Sequence, residues 1–182
     1  MADKSPPSNL SRAAFLQGGW RKDKALIRPP WSKDESEFVA TCNSSCQACA
    51  DACPEKIIII GRGKYPHIDF SQGECTFCEQ CLDACDYSAL DKHGAREPWT
   101  HKAVIKLDQC ITQQSVVCRS CSENCDVAAI KFHPTVGGVS APELTSDLCN
   151  GCGACMSVCP SNAIFINALD DVDQGKKDKK GL

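Results

Sequence analysis

Two apolar runs in the middle of the chain predict its clearest local structure. Ile57 to Ile60 is β-branched and closed by Gly61-Arg62-Gly63, and in His67 to Phe70 the apolar Ile68 and Phe70 alternate around Asp69. A β-branched run ended by a glycine turn and answered by a period-two return reads as a hairpin. A second hairpin is predicted from Ala129 to Phe132, with a return strand near Glu143-Leu144 across a loop containing Pro134 and Gly137-Gly138. Ala103 to Leu107 reads as a further strand. No run approaches the eighteen or so apolar residues of a membrane-spanning helix.

These runs sit inside a repeat. The apolar steps Ile57-Ile58, Ala89-Leu90, Ala129-Ile130 and Ala163-Ile164 follow Cys53, Cys85, Cys125 and Cys159 at one fixed offset. The units begin at Cys42, Cys75, Cys110 and Cys149, which are 33, 35 and 39 residues apart, a period typical of a repeated supersecondary unit. Within each unit the cysteines are too close for more than loop, with room for a helical turn to open between the third and fourth. The ends differ in character. Residues 1–38 read as an extension with Pro6-Pro7, a cationic stretch from Arg21 to Lys24 and the semi-rigid Ile27-Arg28-Pro29-Pro30-Trp31. Residues 170–182 are charged and low in apolar residues, so a disordered tail is expected.

Composition changes the picture because sixteen of 182 residues are cysteine. They form four sets: Cys42, Cys46, Cys49, Cys53; Cys75, Cys78, Cys81, Cys85; Cys110, Cys118, Cys121, Cys125; and Cys149, Cys152, Cys155, Cys159. The last three of every set are spaced C-x2-C-x3-C. With that spacing a short loop presents three thiolates to a cubane iron–sulfur cluster while a fourth, after three intervening residues, points to a neighbouring cluster. A disulfide framework would need a secretory context, and cysteines this crowded would scramble among themselves. Zinc sites draw two ligands from each of two separated knuckles, whereas each set here crowds four thiols into eleven to sixteen residues. Four [4Fe–4S] clusters per chain are the expectation, with all sixteen cysteines as ligands.

Cysteine also inflates the apolar fraction of 42%, leaving about a third of the chain for a conventional core. Cluster binding is therefore expected to carry much of the folding free energy, and the apoprotein to be largely unfolded. The formal charge of −3 falls to about −11 once each oxidised cluster and its thiolates contribute −2. That argues against a nucleic-acid partner and suits a redox protein that docks on a basic patch. The start Ser11-Arg12-Ala13-Ala14-Phe15-Leu16 resembles a twin-arginine signal but has Ala13 where the second arginine belongs, and no apolar segment follows. A cytoplasmic, soluble protein is expected.

The fold class is α+β: tandem bacterial-type two-cluster ferredoxin modules over residues 39–98 and 99–169. In such ferredoxins each cluster takes three ligands from one set and the fourth from its partner set. Sequence order gives Cys42, Cys46, Cys49 with Cys85, and Cys75, Cys78, Cys81 with Cys53. Sets three and four exchange Cys125 and Cys159. Nested pairing, set one with four and two with three, stays open, though the strand before set three and the comparable inter-set lengths favour the tandem order. Set one carries an extra residue in Asn43-Ser44-Ser45 and set three has seven residues from Ile111 to Val117, both expected to enlarge a loop beside a cluster. Only Cys53 and Cys159 precede proline; Asp86 and Asp126 follow the other two, and a carboxylate there is expected to lower the potential of the neighbouring cluster. His67, His93, His101 and His133 lack ligand spacing to one another, and Phe70, Phe132 and Phe165 read as packing that keeps water off the clusters. No Ser–His–Asp set, phosphate loop or catalytic carboxylate pair stands out, so no enzyme is expected.

Specific stretches outside the cluster spacing carry a resemblance: Gly19-Trp20-Arg21, Ile27-Arg28-Pro29-Pro30-Trp31-Ser32, Asp34-Glu35-Ser36, Gln114-Ser115-Val116-Val117-Cys118-Arg119 and Leu148-Cys149-Asn150-Gly151-Cys152-Gly153-Ala154-Cys155. From about Ser11 to Leu169 the chain resembles the NapF family, ferredoxin-type accessory proteins of the periplasmic nitrate reductase system. The resemblance implies a cytoplasmic protein that binds the molybdenum-containing catalytic subunit of that reductase and assists its maturation before export. The segment Trp20 to Trp31 would be its docking element. The alternative is a polyferredoxin that carries electrons among other redox proteins.

Overall fold

The computed structural model describes residues 26–61, 63–92, 97–133 and 138–167. The twin-arginine-like start, Trp20, Arg62, His93, Pro134, Gly137 and the charged tail lie outside them. Both predicted hairpins form: β1 (Ile58–Ile60) pairs antiparallel with β2 (Pro66–Ile68), and β4 (Ile130–Phe132) with β5 (Pro142–Leu144). Each ladder continues one step into the apolar pair behind the cysteine, because Asp69 N–H donates to Ile57 O at 2.7 Å and Thr145 N–H to Ala129 O at 2.8 Å. Ile57 and Ala129 are only 2% and 1% exposed, which explains why the repeat demands an apolar residue there.

The strand predicted from Ala103 to Leu107 is β3 (Lys102–Ile105). It pairs antiparallel with β6 (Ile164–Asn167), Ala103 opposite Ile166 and Ile105 opposite Ile164. It ends before Leu107 because Lys106 N–H makes the last bond, to Ala163 O at 2.8 Å, and the chain then turns through Leu107–Gln109 in 3-10 geometry toward Cys110. Four short helices sit among the cysteines: α2 (Ala48–Ala52), α3 (Gln80–Asp83), α4 (Ser120–Glu123) and α5 (Ala154–Ser157). A longer one, α1 (Glu35–Thr41), precedes set one and runs across the sequence boundary at residue 38. Its acidic first turn, Glu35 and Glu37, complements the helix dipole, and its one buried residue, Phe38, is 0% exposed.

Residues 26–38 are thus built into the body of the protein. Pro29 and Pro30 are fully buried, and Trp31 is 3% exposed. Arg28 holds the segment by side chain. Its guanidinium donates to both Glu35 carboxylate oxygens, at 2.8 and 2.5 Å, and to Pro66 O at 2.9 Å, while lying 5.0 Å from the Phe38 ring centroid. The ion pair holds the Glu35 carboxyl below the ordinary carboxylate range.

The halves on either side of residue 98 meet at an aromatic junction. Trp99 is edge-on to Phe70 at 6.0 Å and to Phe77 at 5.6 Å, pairs worth about 0.5–1.5 kcal/mol each beyond their burial. Gly153 faces the same junction at φ +86, and a Cβ there would come within 2.1 Å of the Phe70 ring, so glycine is required twice over. Among the described residues no helix is long and apolar enough to cross a membrane.

Candidate iron–sulfur centres

The cysteines converge in quartets, each made of three from one set and the last of its neighbour. Cys42, Cys46 and Cys49 line one cavity together with Cys85. Cys75, Cys78 and Cys81 line a second with Cys53, and Cys149, Cys152 and Cys155 a third with Cys125. In the remaining quartet the Cys121 thiol feels Cys118, Cys159 and Cys110. All sixteen thiols are free.

Repeated backbone geometry builds these quartets. Three residues beyond each fourth cysteine the chain enters the left-handed region, at Lys56, Ser88, Ala128 and Asn162, with φ between 49° and 54°. At three of them the N–H bonds back to the cysteine carbonyl: Lys56 to Cys53 at 3.2 Å, Ala128 to Cys125 at 2.9 Å and Asn162 to Cys159 at 3.2 Å. The turn aims the next amide at the sulfur, so that Ala129 N–H donates to Cys125 Sγ and Ala163 N–H to Cys159 Sγ, both at 3.3 Å. Ala103 N–H donates likewise to Cys149 Sγ at 3.4 Å. Amide donors of this kind stabilise sulfur that carries negative charge.

The electrostatics of the bare quartets point the same way. Burial first, and then the neighbouring cysteines, push the Cys49, Cys75, Cys81 and Cys155 thiols up to about 12 and Cys121 up to about 11. Burial also raises Cys42 and Cys152. Four thiolates can coexist in such a space only around a cationic group. A single ion fits poorly: its donors would stand about 2.3 Å from one centre, and among the described residues no three His, Cys, Asp or Glu side chains are placed to hold one. An all-sulfur donor set around a recurring cavity suits a polynuclear cluster instead.

The two long loops are ordered by local bonds. In set three Ile111–Gln114 forms a 3-10 turn in which the buried Thr112 hydroxyl donates to Cys110 Sγ at 3.2 Å, leaving Val117 77% exposed. In set one Ser45 N–H donates to Asn43 Oδ1 at 3.0 Å and Asn43 Nδ2 to the Tyr87 hydroxyl at 2.9 Å. Asp86 and Asp126 stand exposed at turns. Of the histidines, His67 lies in β2, His101 packs on Trp99 with its ring depressed in pKa by burial, and His133 Nε2 is 3.0 Å from Glu143. Phe70 is buried, whereas Phe132 and Phe165 are half-buried under Arg119 and Lys106.

The 4Fe-4S binding domain family matches residues 142–165, which span β5, all of set four and the start of β6. Over 161 residues the chain is 46% identical to the ferredoxin-type protein NapF of Escherichia coli K12, covering 88% of this chain and 96% of that one. The chain belongs to the NapF family of ferredoxin-type proteins. It is 40% identical to NapF of Haemophilus influenzae over 171 residues, with 88% and 96% covered, and 28% identical to the ferredoxin-type protein NapG of Escherichia coli K12 over 158 residues, with 76% and 68% covered. Membership makes it an iron–sulfur protein of the ferredoxin type, as the resemblance in the sequence implied.

Two functional neighbours escape a cysteine-led reading. Trp31 lines the Cys53–Cys75–Cys78–Cys81 cavity, and Trp99 donates its indole N–H to Asn150 O, inside the set-four loop, at 2.9 Å. A signal was present: each follows a proline, and each precedes the first cysteine of its set, Cys42 or Cys110, by eleven residues. The burial of Trp31 also removes it from any docking surface, and deleting residues 1–38 would take Pro29, Pro30 and Phe38 out of the core.

Proposed function

We propose that the chain is a cytoplasmic four-cluster accessory protein that binds the molybdenum catalytic subunit of a periplasmic nitrate reductase and assists that subunit's maturation before export. The reading is supported by the three-plus-one cysteine quartets in a member of the NapF family, and two tandem modules over residues 39–98 and 99–169 would house them. Cys42, Cys46, Cys49 and Cys85 would hold one [4Fe–4S] cluster, and Cys75, Cys78, Cys81 and Cys53 a second. Cys110, Cys118, Cys121 and Cys159 would hold a third, and Cys149, Cys152, Cys155 and Cys125 the fourth. When bound, such clusters accept and release single electrons at low potential. The chain's own part is to shield the sulfurs, supply amide donors to them and present Asp86 and Asp126 as solvated carboxylates beside two of the quartets, which lowers those potentials. No catalytic group is assigned.

One observation favours the second reading, an electron carrier in the reductase system. Cys75 N–H donates to Cys152 O at 2.8 Å, which brings the inner quartets of the two halves into direct contact. Anaerobic capture on a tagged catalytic-subunit apoprotein separates the readings. Maturation predicts a complex with the apoprotein that weakens once that subunit is complete, with iron retained by the accessory chain. Equal capture of both forms together with electron transfer to the complete subunit would support the carrier, and no capture would overturn both.

A further inference from the structure

The two Pro-Trp pairs occupy equivalent places in the repeat, yet their indoles end differently. Trp99 N–H is satisfied by Asn150 O, between Cys149 and Cys152. The Trp31 indole N–H is shut off from solvent and has no hydrogen-bond partner. A buried indole donor ordinarily finds one, and an unpaired buried donor is destabilising. The Trp31 backbone adds to this, because it holds φ 60°, a left-handed conformation that a bulky side chain rarely adopts. Strain of that kind persists where the surroundings enforce it, and it gathers at ligand sites.

The surroundings enforce it here. The Trp31 backbone N–H donates to Pro98 O at 2.6 Å, Asp91 N–H donates to Trp31 O at 2.8 Å, and Lys92 Nζ lies 5.5 Å from the indole centroid while paired with Glu79. Glu79 and Phe77 line the same cavity as Trp31 and share its left-handed backbone, at φ 64° and 54°. In set four the corresponding positions are Gly153 and Gly151, which take this conformation without strain. Three strained non-glycine residues and one orphaned donor thus gather at one cysteine cavity.

We infer that the Trp31 indole N–H is a hydrogen-bond donor to sulfur in the quartet of Cys53, Cys75, Cys78 and Cys81, and that it raises the reduction potential of the cluster held there. The inference rests on the cluster reading above. A donor to cluster or cysteinyl sulfur stabilises the more negative, reduced form, so its removal lowers the potential. Trp31 is a tuning residue contributed by the N-terminal segment, which places that segment inside the cluster site as well as in the core.

The test is an EPR-monitored redox titration of holoprotein carrying Trp31→Phe, which keeps an aromatic ring and deletes the donor. One of the four reduction steps is expected to move to lower potential while the other three stay and iron and sulfide per chain are unchanged. Four unmoved steps at full cluster content would overturn the inference. Absence of acid-labile sulfide from the wild-type protein would instead overturn the cluster reading. Should the variant lose its cluster, the wild-type holoprotein labelled with indole-15N tryptophan gives a second measurement. A pulsed-EPR coupling to the reduced cluster that persists in Trp20→Phe and Trp99→Phe assigns the donor to Trp31, and no such coupling rejects it.

Discussion

The two halves of the molecule solve the same closure problem with different materials. In the C-terminal half a strand before set three, Lys102–Ile105, pairs residue for residue with a strand after set four, Ile164–Asn167. In the N-terminal half the corresponding place is held by Arg28-Pro29-Pro30-Trp31-Ser32, which among the described residues forms no ladder with the chain after set two but an isolated bridge, Ser32 to Leu90, and a backbone bond from Trp31 N–H to Pro98 O. Two prolines remove the donors a ladder needs, so side chains take over: buried Pro29, Pro30 and Trp31, and the Arg28 fork onto Glu35 and Pro66. A backbone ladder tolerates exchange of its side chains, whereas a side-chain closure depends on identity.

That contrast is most exposed at Trp31. Trp31→Ala is expected to destabilise the holoprotein by ~3–5 kcal/mol, the range for emptying a large buried aromatic site, read as an earlier midpoint in anaerobic denaturant unfolding followed by visible absorbance. Arg28→Lys keeps the charge but loses the fork and the stacking on Phe38, and should cost about 1–2 kcal/mol in the same assay. In the laddered half Val104→Ala, opposite Phe165 on a half-buried strand, should cost about 1 kcal/mol or less. A Val104 loss as large as that at Trp31 would break the contrast. The smallest effect runs the other way: Glu79→Gly relieves a left-handed non-glycine residue at about 1–2 kcal/mol and forfeits a partly exposed ion pair with Lys92 worth under about 1 kcal/mol. A net gain of about 0.5 kcal/mol is the expected midpoint change.

What the sequence showed and hid follows the same division. Both hairpins were legible because β-branched and alternating runs have a period, and the cysteine sets were legible because ligand spacing is local. Helix Glu35–Thr41 was hidden because seven residues with one buried Phe38 make no helical period, and only the acidic first turn hinted at it. The boundary at residue 38 followed from composition, which cannot register that Pro29 and Pro30 are core. Phe77 and Glu79 gave no warning of positive φ, since neither is a residue that marks it. The Trp31 and Trp99 pair was written in the repeat, but in its proline–tryptophan register and not in its cysteines.

The claim on which all of this rests is that the cysteine quartets hold cubane clusters. Metal and sulfide analysis of anaerobically purified protein tests it most directly. The account predicts about sixteen iron atoms and about sixteen acid-labile sulfides per chain, with a brown protein that becomes EPR-active on reduction. Colourless protein with zinc in place of iron, or with its thiols oxidised to disulfides and no labile sulfide, would contradict it.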